Sequence, residues 1–208
     1  MHEHKGSQQC LSSAVILEDA RIPVKKAICR LKSASPYSQG RFIQSEKSRD
    51  ETHADFEKRV WKERCHVTKE GNLFIPPMCF KNCLAEAAKY KSIQIPGKGK
   101  STFTKHFEAG ILVVEPLVLD TKIDDIHGEW LHVPSDGRRG GSKRVEKCFP
   151  LVQNWDGVVE FLVLDEIITK DVFTEHLRDA GSFIGVGRFR PRNNGYYGRF
   201  SVEDVDWV

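Results

Sequence analysis

The sequence has no apolar run near the roughly 18 residues that a membrane-crossing helix needs, so no membrane partner is expected. Its opening segment, MHEHKGSQQCLSS, has no apolar stretch of the kind a secretory signal carries, and a cytoplasmic protein is expected. No self-similarity stands out at a period of about 20–50 residues, which argues against a solenoid or propeller, and there is no low-complexity block. Net charge is only +3, from 32 basic against 29 acidic residues. With a balance this even, the distribution of charge matters more than its sum.

Metal and nucleotide signatures are incomplete. Six cysteines stand at positions 10, 29, 65, 79, 83 and 148, with no CxxC pair of the kind that makes a zinc reading strong. Cys65, His66, Cys79 and Cys83 are numerous enough to be metal ligands. However, Cys79 and Cys83 fall on or beside the apolar stripe of a helix, where free cysteine is a common small core residue. Reduced thiols, no metal and no cofactor are expected. The segment IPGKGKST ends like a phosphate-binding P-loop, but Gln94 stands where the first glycine belongs. It also follows a helix, whereas a P-loop runs from strand to helix. GVGRFR begins like a dinucleotide fingerprint, but Arg190 replaces the third glycine and a helix again precedes it.

What is present suffices for a folded core: 39% hydrophobic and 29% charged residues over 208 positions. Residues 1–22 read as a loosely ordered lead-in, and 23–208 as a single domain with basic loop insertions at 97–106 and 134–147. VKKAICRLK (24–32) alternates, with Ala27, Cys29 and Leu31 on one side and Lys26, Arg30 and Lys32 on the other, as in a half-buried strand. Residues 33–42 read as a loop. A helix is expected over 52–64, opened by a Thr52–Asp55 capping pair, and CHVT and LFIP flank a hairpin turn at Gly71. The clearest helical period spans 78–90, with Phe80, Cys83, Leu84, Ala87 and Ala88 on one stripe. Strands are expected at 110–119, 128–134, 158–164 and 199–207, and a helix at 171–180 with Gly181 as its C-cap. This order of elements predicts an α+β fold, a ferredoxin-like antiparallel sheet with helices on one face.

The segment IGVGRFRPRNNGYYGRF (184–200) holds four arginines, four glycines and four aromatics. Gly185 and Gly187 are expected to let backbone approach a ligand. Arg188, Arg190, Arg192 and Arg199 suit phosphate. Tyr196, Tyr197 and Phe200 offer faces on which bases stack. Lys98, Lys100, Lys105 and His106 form a second basic cluster, and Arg138, Arg139, Lys143 and Arg144 a third. Arginine, glycine and aromatics interleaved in this way point to single-stranded RNA or DNA as partner. His106, among lysines, is the one catalytic candidate, and it would suit a metal-independent ribonuclease.

Two of these segments carry a resemblance. FIPPMCFKNCLAEAAKY (74–90) resembles the strand, Ile-Pro, small-residue and helix element of the RAMP superfamily. These are ferredoxin-like, RNA-binding proteins that form the backbone of CRISPR effector complexes. GVGRFRPRNNGYYGRF (185–200) resembles that superfamily's C-terminal glycine-rich loop. The Ile-Pro-Pro helix, the GKGK loop and the GYYGRF ending also make the chain similar to a group of phage and prophage proteins of unknown function. The RAMP similarity covers only these two pieces, the phage similarity most of the chain after about residue 25. Pro76-Pro77-Met78-Cys79 stands where the family has a Pro-Gly-Ser-Ser turn, and the chain is short for a full backbone subunit. The resemblance implies a RAMP-like fold and a non-catalytic, single-strand-binding protein of phage or mobile-element origin. It would assemble along the strand as a homo-oligomer or filament. A second implied role is an interaction protein that imitates a CRISPR subunit and blocks a host defence complex.

Overall fold

A computed structural model describes residues 24–135 and 143–208. The lead-in 1–22 and the candidates Arg138 and Arg139 lie outside the described residues.

In chain order the elements are β1 (Lys25–Ser33), β2 (Tyr37–Ser38), α1 (His53–Val60), β3 (Asn72–Ile75), α2 (Pro77–Lys91), α3 (Thr104–Ala109), β4 (Ile111–Leu112), β5 (Leu117–Lys122), β6 (His127–Pro134), β7 (Arg144–Val152), β8 (Asp156–Val163), α4 (Lys170–Asp179) and β9 (Phe200–Trp207). The main sheet has the order β4-β8-β1-β9, with every neighbouring pair antiparallel. Taken along the chain, β1–α2–β4 and β8–α4–β9 are two interleaved strand–helix–strand units, which is the ferredoxin-like arrangement. Alternation on β1 buries Ala27, Cys29 and Leu31, while Lys26, Arg30 and Lys32 are exposed on the opposite face. The buried side meets Phe80, Leu84 and Ala87 of α2 and Phe173 and Leu177 of α4 in one core. Phe161 of β8 meets Phe173 edge-on, with ring centroids 5.3 Å apart.

The remaining strands come from two insertions, one between β1 and α2 and the other between β4 and β8. They pair with each other: β2-β7-β6 form one sheet and β3-β5 another. Most elements fall where their residue patterns place them, including α1, where Thr52 accepts from the Asp55 N–H at 3.1 Å. Four details differ. The CHVT segment contributes a single bridge, Val67 to Leu73, because the turn at Thr68–Gly71 leaves it too short; β3 pairs with β5 instead. The expected strand over 110–119 breaks before Pro116, which has no N–H to donate to a ladder, so β4 and β5 join different sheets. Gly181 does not cap α4. It lies in a π-helical turn, Ala180–Ile184, where an added Cβ would stand 2.2 Å from the Phe200 carbonyl oxygen. The basic segments are partly regular structure, since residues 104–106 open α3 and 144–147 belong to β7.

A buried ion pair ties α1 to the inserted sheet. Glu57 and Arg64 are only 4% and 8% exposed. Arg64 Nη2 donates to Glu57 Oε1 at 2.6 Å, and the same oxygen accepts the Cys148 N–H at 2.9 Å. Arg64 Nε donates to the Cys148 carbonyl at 3.0 Å, closing the ring of bonds. Removing one partner strands a buried charge. Glu57→Ala should therefore lower unfolding free energy by about 3–5 kcal/mol, read as an earlier midpoint in urea.

Candidate functional site

The segment from α4 to β9 folds back on itself. The Val186 N–H donates to the Gly198 carbonyl at 2.9 Å, the Gly198 N–H to Pro36 at 2.7 Å, and the Arg188 N–H to Ser38 at 2.9 Å. Gly187 has φ +80°, and an added Cβ would stand 2.4 Å from Tyr37 Cε2; at Gly198, also φ +80°, it would stand 1.8 Å from the Val186 oxygen. These glycines make room for neighbouring protein. The expectation that Gly185 and Gly187 lay backbone open to a ligand is corrected, since Pro191 and Tyr37 fill those spaces.

This packing fixes Arg188. Its guanidinium carbon sits 3.3 Å from the centroid of the Phe149 ring, and its aliphatic stem crosses Gly40, which has no side chain to displace it. Nη1 is buried without a hydrogen-bond partner. Burial holds the guanidinium pKa below its ordinary value; the Glu129 carboxylate and Tyr197 act against it, and the Arg64 charge acts with it.

Arg188 forms one wall of a cleft of about 440 Å³, opposite Met78, Cys79 and Asn82 in the first turns of α2, with His66 and Arg190 alongside. No side chain caps that helix end. Pro77 has no N–H and the Cys79 N–H donates to the Pro76 carbonyl at 2.9 Å, so this end favours anions through the positive end of its dipole. A second cleft of about 650 Å³ adjoins the first through Gly40 and carries Arg41, Phe42, Arg64, Lys143 and Lys147. Together they make one trough from the start of α2 to the β6–β7 hairpin. Its cations outnumber its carboxylates, because Glu57 is committed to Arg64 and only Glu146 remains. Phe42 on its rim is 84% exposed. Gln39 braces the floor, donating from Nε2 to the Phe74 carbonyl at 3.2 Å.

The residues singled out from sequence divide into groups. Arg188 and Arg190 line the trough, although Arg190 Nη2 is held by Glu86 at 2.7 Å. Arg192 is exposed beside it, and Tyr196 is 59% exposed. Arg199 is half-buried and donates to the carbonyls of Ser182 and Tyr196. Tyr197 is buried, and its hydroxyl donates to Glu129 Oε1 at 2.6 Å. Lys143 and Arg144 stand at the hairpin, where Arg144 donates to the His132 carbonyl. Lys98, Lys100, Lys105 and His106 form a separate cleft beyond the carboxyl end of α2, about 22 Å of helix away from the trough. Among the described residues no three ligand side chains gather to hold a metal. Cys83 is buried with its thiol 3.3 Å from the Ala180 carbonyl, and burial pushes the Cys65 thiol up to about 12, against the thiolate a metal needs. Arg41, Phe42, Lys147 and Phe149 escape sequence reading. A lone basic or aromatic residue in a loop or alternating strand gives no local sign of what lies across from it.

Burial, and then Glu129, push the Tyr197 hydroxyl up to about 12. Tyr197→Phe should cost about 1–3 kcal/mol by leaving the carboxylate without its donor, read as a lower melting temperature. An unfolded tyrosine ionises near about 10. The folded-state pKa is raised, so this contribution is whole below pH about 10 and is lost as pH rises through about 12. The phenylalanine variant should lack that loss.

No protein-family description matches the chain, and no curated protein matches it in sequence. Among solved structures it is similar to Cmr6 from Pyrococcus furiosus, with 12% identity and a TM-score of 0.46 over 87% of this chain and 99% of that one. It is also similar to a chain of a CRISPR RNA-guided surveillance complex, with 6% identity and a TM-score of 0.36 over 88% of this chain and 68% of that one.

Proposed function

We propose that the trough binds single-stranded nucleic acid and that the protein acts as a binding module. The observation that carries this reading is Arg188. Its guanidinium carbon sits 3.3 Å from the Phe149 centroid, with no carboxylate among the described residues bonded to it, on the wall of the cleft that the amino end of α2 also lines. A guanidinium held by stacking loses little freedom when it grips a phosphate, and the positive dipole end of the helix lies on the other side. Arg41, Lys143 and Lys147 continue the positive lining, and Lys143 and Arg144 at the hairpin give a strand somewhere to run. The exposed Phe42 ring on the rim offers a face to an unpaired base, which favours a single strand over a duplex. In this reading Tyr197, Arg190 and Arg199 position the wall, and Arg188, Arg41, Lys143 and Lys147 meet phosphates.

The test is anisotropy of a labelled single-stranded oligonucleotide against a salt series. Arg188→Ala should weaken binding about tenfold and lower the slope of log K against log salt by about one. Exposed Lys170→Ala, at the start of α4 and outside the lining of the trough, should leave both unchanged. An Arg188→Ala protein that keeps wild-type affinity and slope removes the reading.

A further inference from the structure

The cleft beyond the carboxyl end of α2 has its own chemistry. It encloses about 500 Å³ and is lined by Lys98, Lys100, Ser101, Thr102, Lys105 and His106, with no carboxylate on its walls. The lysines come from an ordered loop. The Ile95 N–H donates to the Ser101 carbonyl at 2.8 Å, the Lys98 N–H to Ile95 at 3.1 Å, and the Phe103 N–H to Ile93 at 3.1 Å, while Ile95 and Phe103 are buried beneath. Gly97 and Gly99 take φ +75° and +59°, so the turn bends tightly enough to bring Lys98 and Lys100 to the same cleft.

The histidine is oriented. His106 Nδ1 lies 2.6 Å from Asp165 Oδ2, and Asp165 Oδ1 accepts the Ile167 N–H at 3.0 Å. Burial alone would raise the Asp165 carboxyl, but the bonds from His106 and Ile167 and the Lys98 charge outweigh it and hold the group below its ordinary value. An ionised Asp165 can only accept, so Nδ1 is the donor and Nε2 is the nitrogen left to meet a ligand. Gly110 lets the two segments close on one another, since an added Cβ there would stand 2.5 Å from Asp165 Cβ.

We propose that this cleft is a phosphate-binding site in which Lys98, Lys100 and Lys105 supply positive charge and His106 Nε2 supplies a directed hydrogen bond. Asp165 on Nδ1 fixes the ring, so that Nε2 is the nitrogen directed at the ligand. The Ser101 hydroxyl on the same wall can donate to a further phosphate oxygen, while that of Thr102 is committed to Thr104 Oγ1 at 3.1 Å. The ligand is a phosphate group, carried either free or on a nucleic-acid strand. The site is not a P-loop, because its loop leaves one helix and enters another. It does not rest on the trough reading, since its residues and its readout, the His106 ring, are different.

The experiment follows the His106 ring resonances by NMR while the full chain is titrated with three probes. These are inorganic phosphate, a short oligonucleotide with a 5′-phosphate, and the same oligonucleotide with a 5′-hydroxyl. Saturable shifts are expected with phosphate, and the paired variant Lys98→Ala/Lys105→Ala should weaken them about tenfold. Response to the first two probes only assigns the site to a free or terminal phosphate. Response to both oligonucleotides assigns it to backbone phosphate. Both lysines are exposed, so the variant is expected to fold. No shift with any probe, or equal affinity in the paired variant, overturns the proposal. A trough that fails to bind leaves this result standing, and the reverse also holds.

Discussion

The contact between Gly187 and Tyr37 sets the position of everything on the trough wall. Without a side chain at 187, the C-terminal loop lies against β2, and the Arg188 N–H reaches the Ser38 carbonyl. Ser38 is opposite Leu151 in the β2–β7 ladder, and Phe149 is the next residue of β7 on the same face. One backbone bond therefore places a guanidinium over an aromatic ring that lies 39 positions earlier in the chain. A methyl at 187 would meet both the tyrosine ring and the Ser38 oxygen, and the loop would have to lift away from its support.

The same loop shows how a basic sequence can be spent in different ways. Arg190 is drawn to Glu86 on α2, Arg199 satisfies backbone carbonyls, and Arg192 faces solvent. Arg188 alone among the four is stacked on a ring with a nitrogen left unpaired. The division has a physical cause. Burial penalises an unpaired cation, so inward-facing arginines find carboxylates or carbonyls wherever the fold offers them. Phe149 offers Arg188 a π-face in place of a counter-ion, which leaves its charge available.

The two clefts share a helix and little else. The amino end of α2 lines the trough, and its carboxyl end abuts the lysine loop, where Thr104 Oγ1 donates to the Ala88 carbonyl. The trough is built by the inserted segments together with the α4–β9 loop and the start of α2, the lysine cleft by residues of the segment between α2 and β4 held against the end of β8 by Asp165. Basic segments that look like one surface along the chain are thus held about a helix length apart.

Local pattern alone was enough for α2, β1, β8, β9 and α4, because burial on one face writes a period of 2 or 3.6 into the residues themselves. The same patterns, in order, implied the α+β class with helices on one face of an antiparallel sheet. They did not reveal that β3 pairs with β5, that Pro116 divides one apolar run between two sheets, or that β7 begins at Arg144, inside the basic loop expected over 134–147. Strand partners are chosen by long-range register, which no short window contains. The site followed the same rule. The sequence by itself determined that arginine, glycine and tyrosine meet at residues 184–200 and that lysines surround His106. Only the tertiary structure decided that the glycines pack against protein, that Tyr197 serves Glu129, that Phe149 carries Arg188 and that Asp165 orients His106. Each of these depends on a partner dozens of residues away, and the partner determines whether a polar side chain holds the fold or faces a ligand.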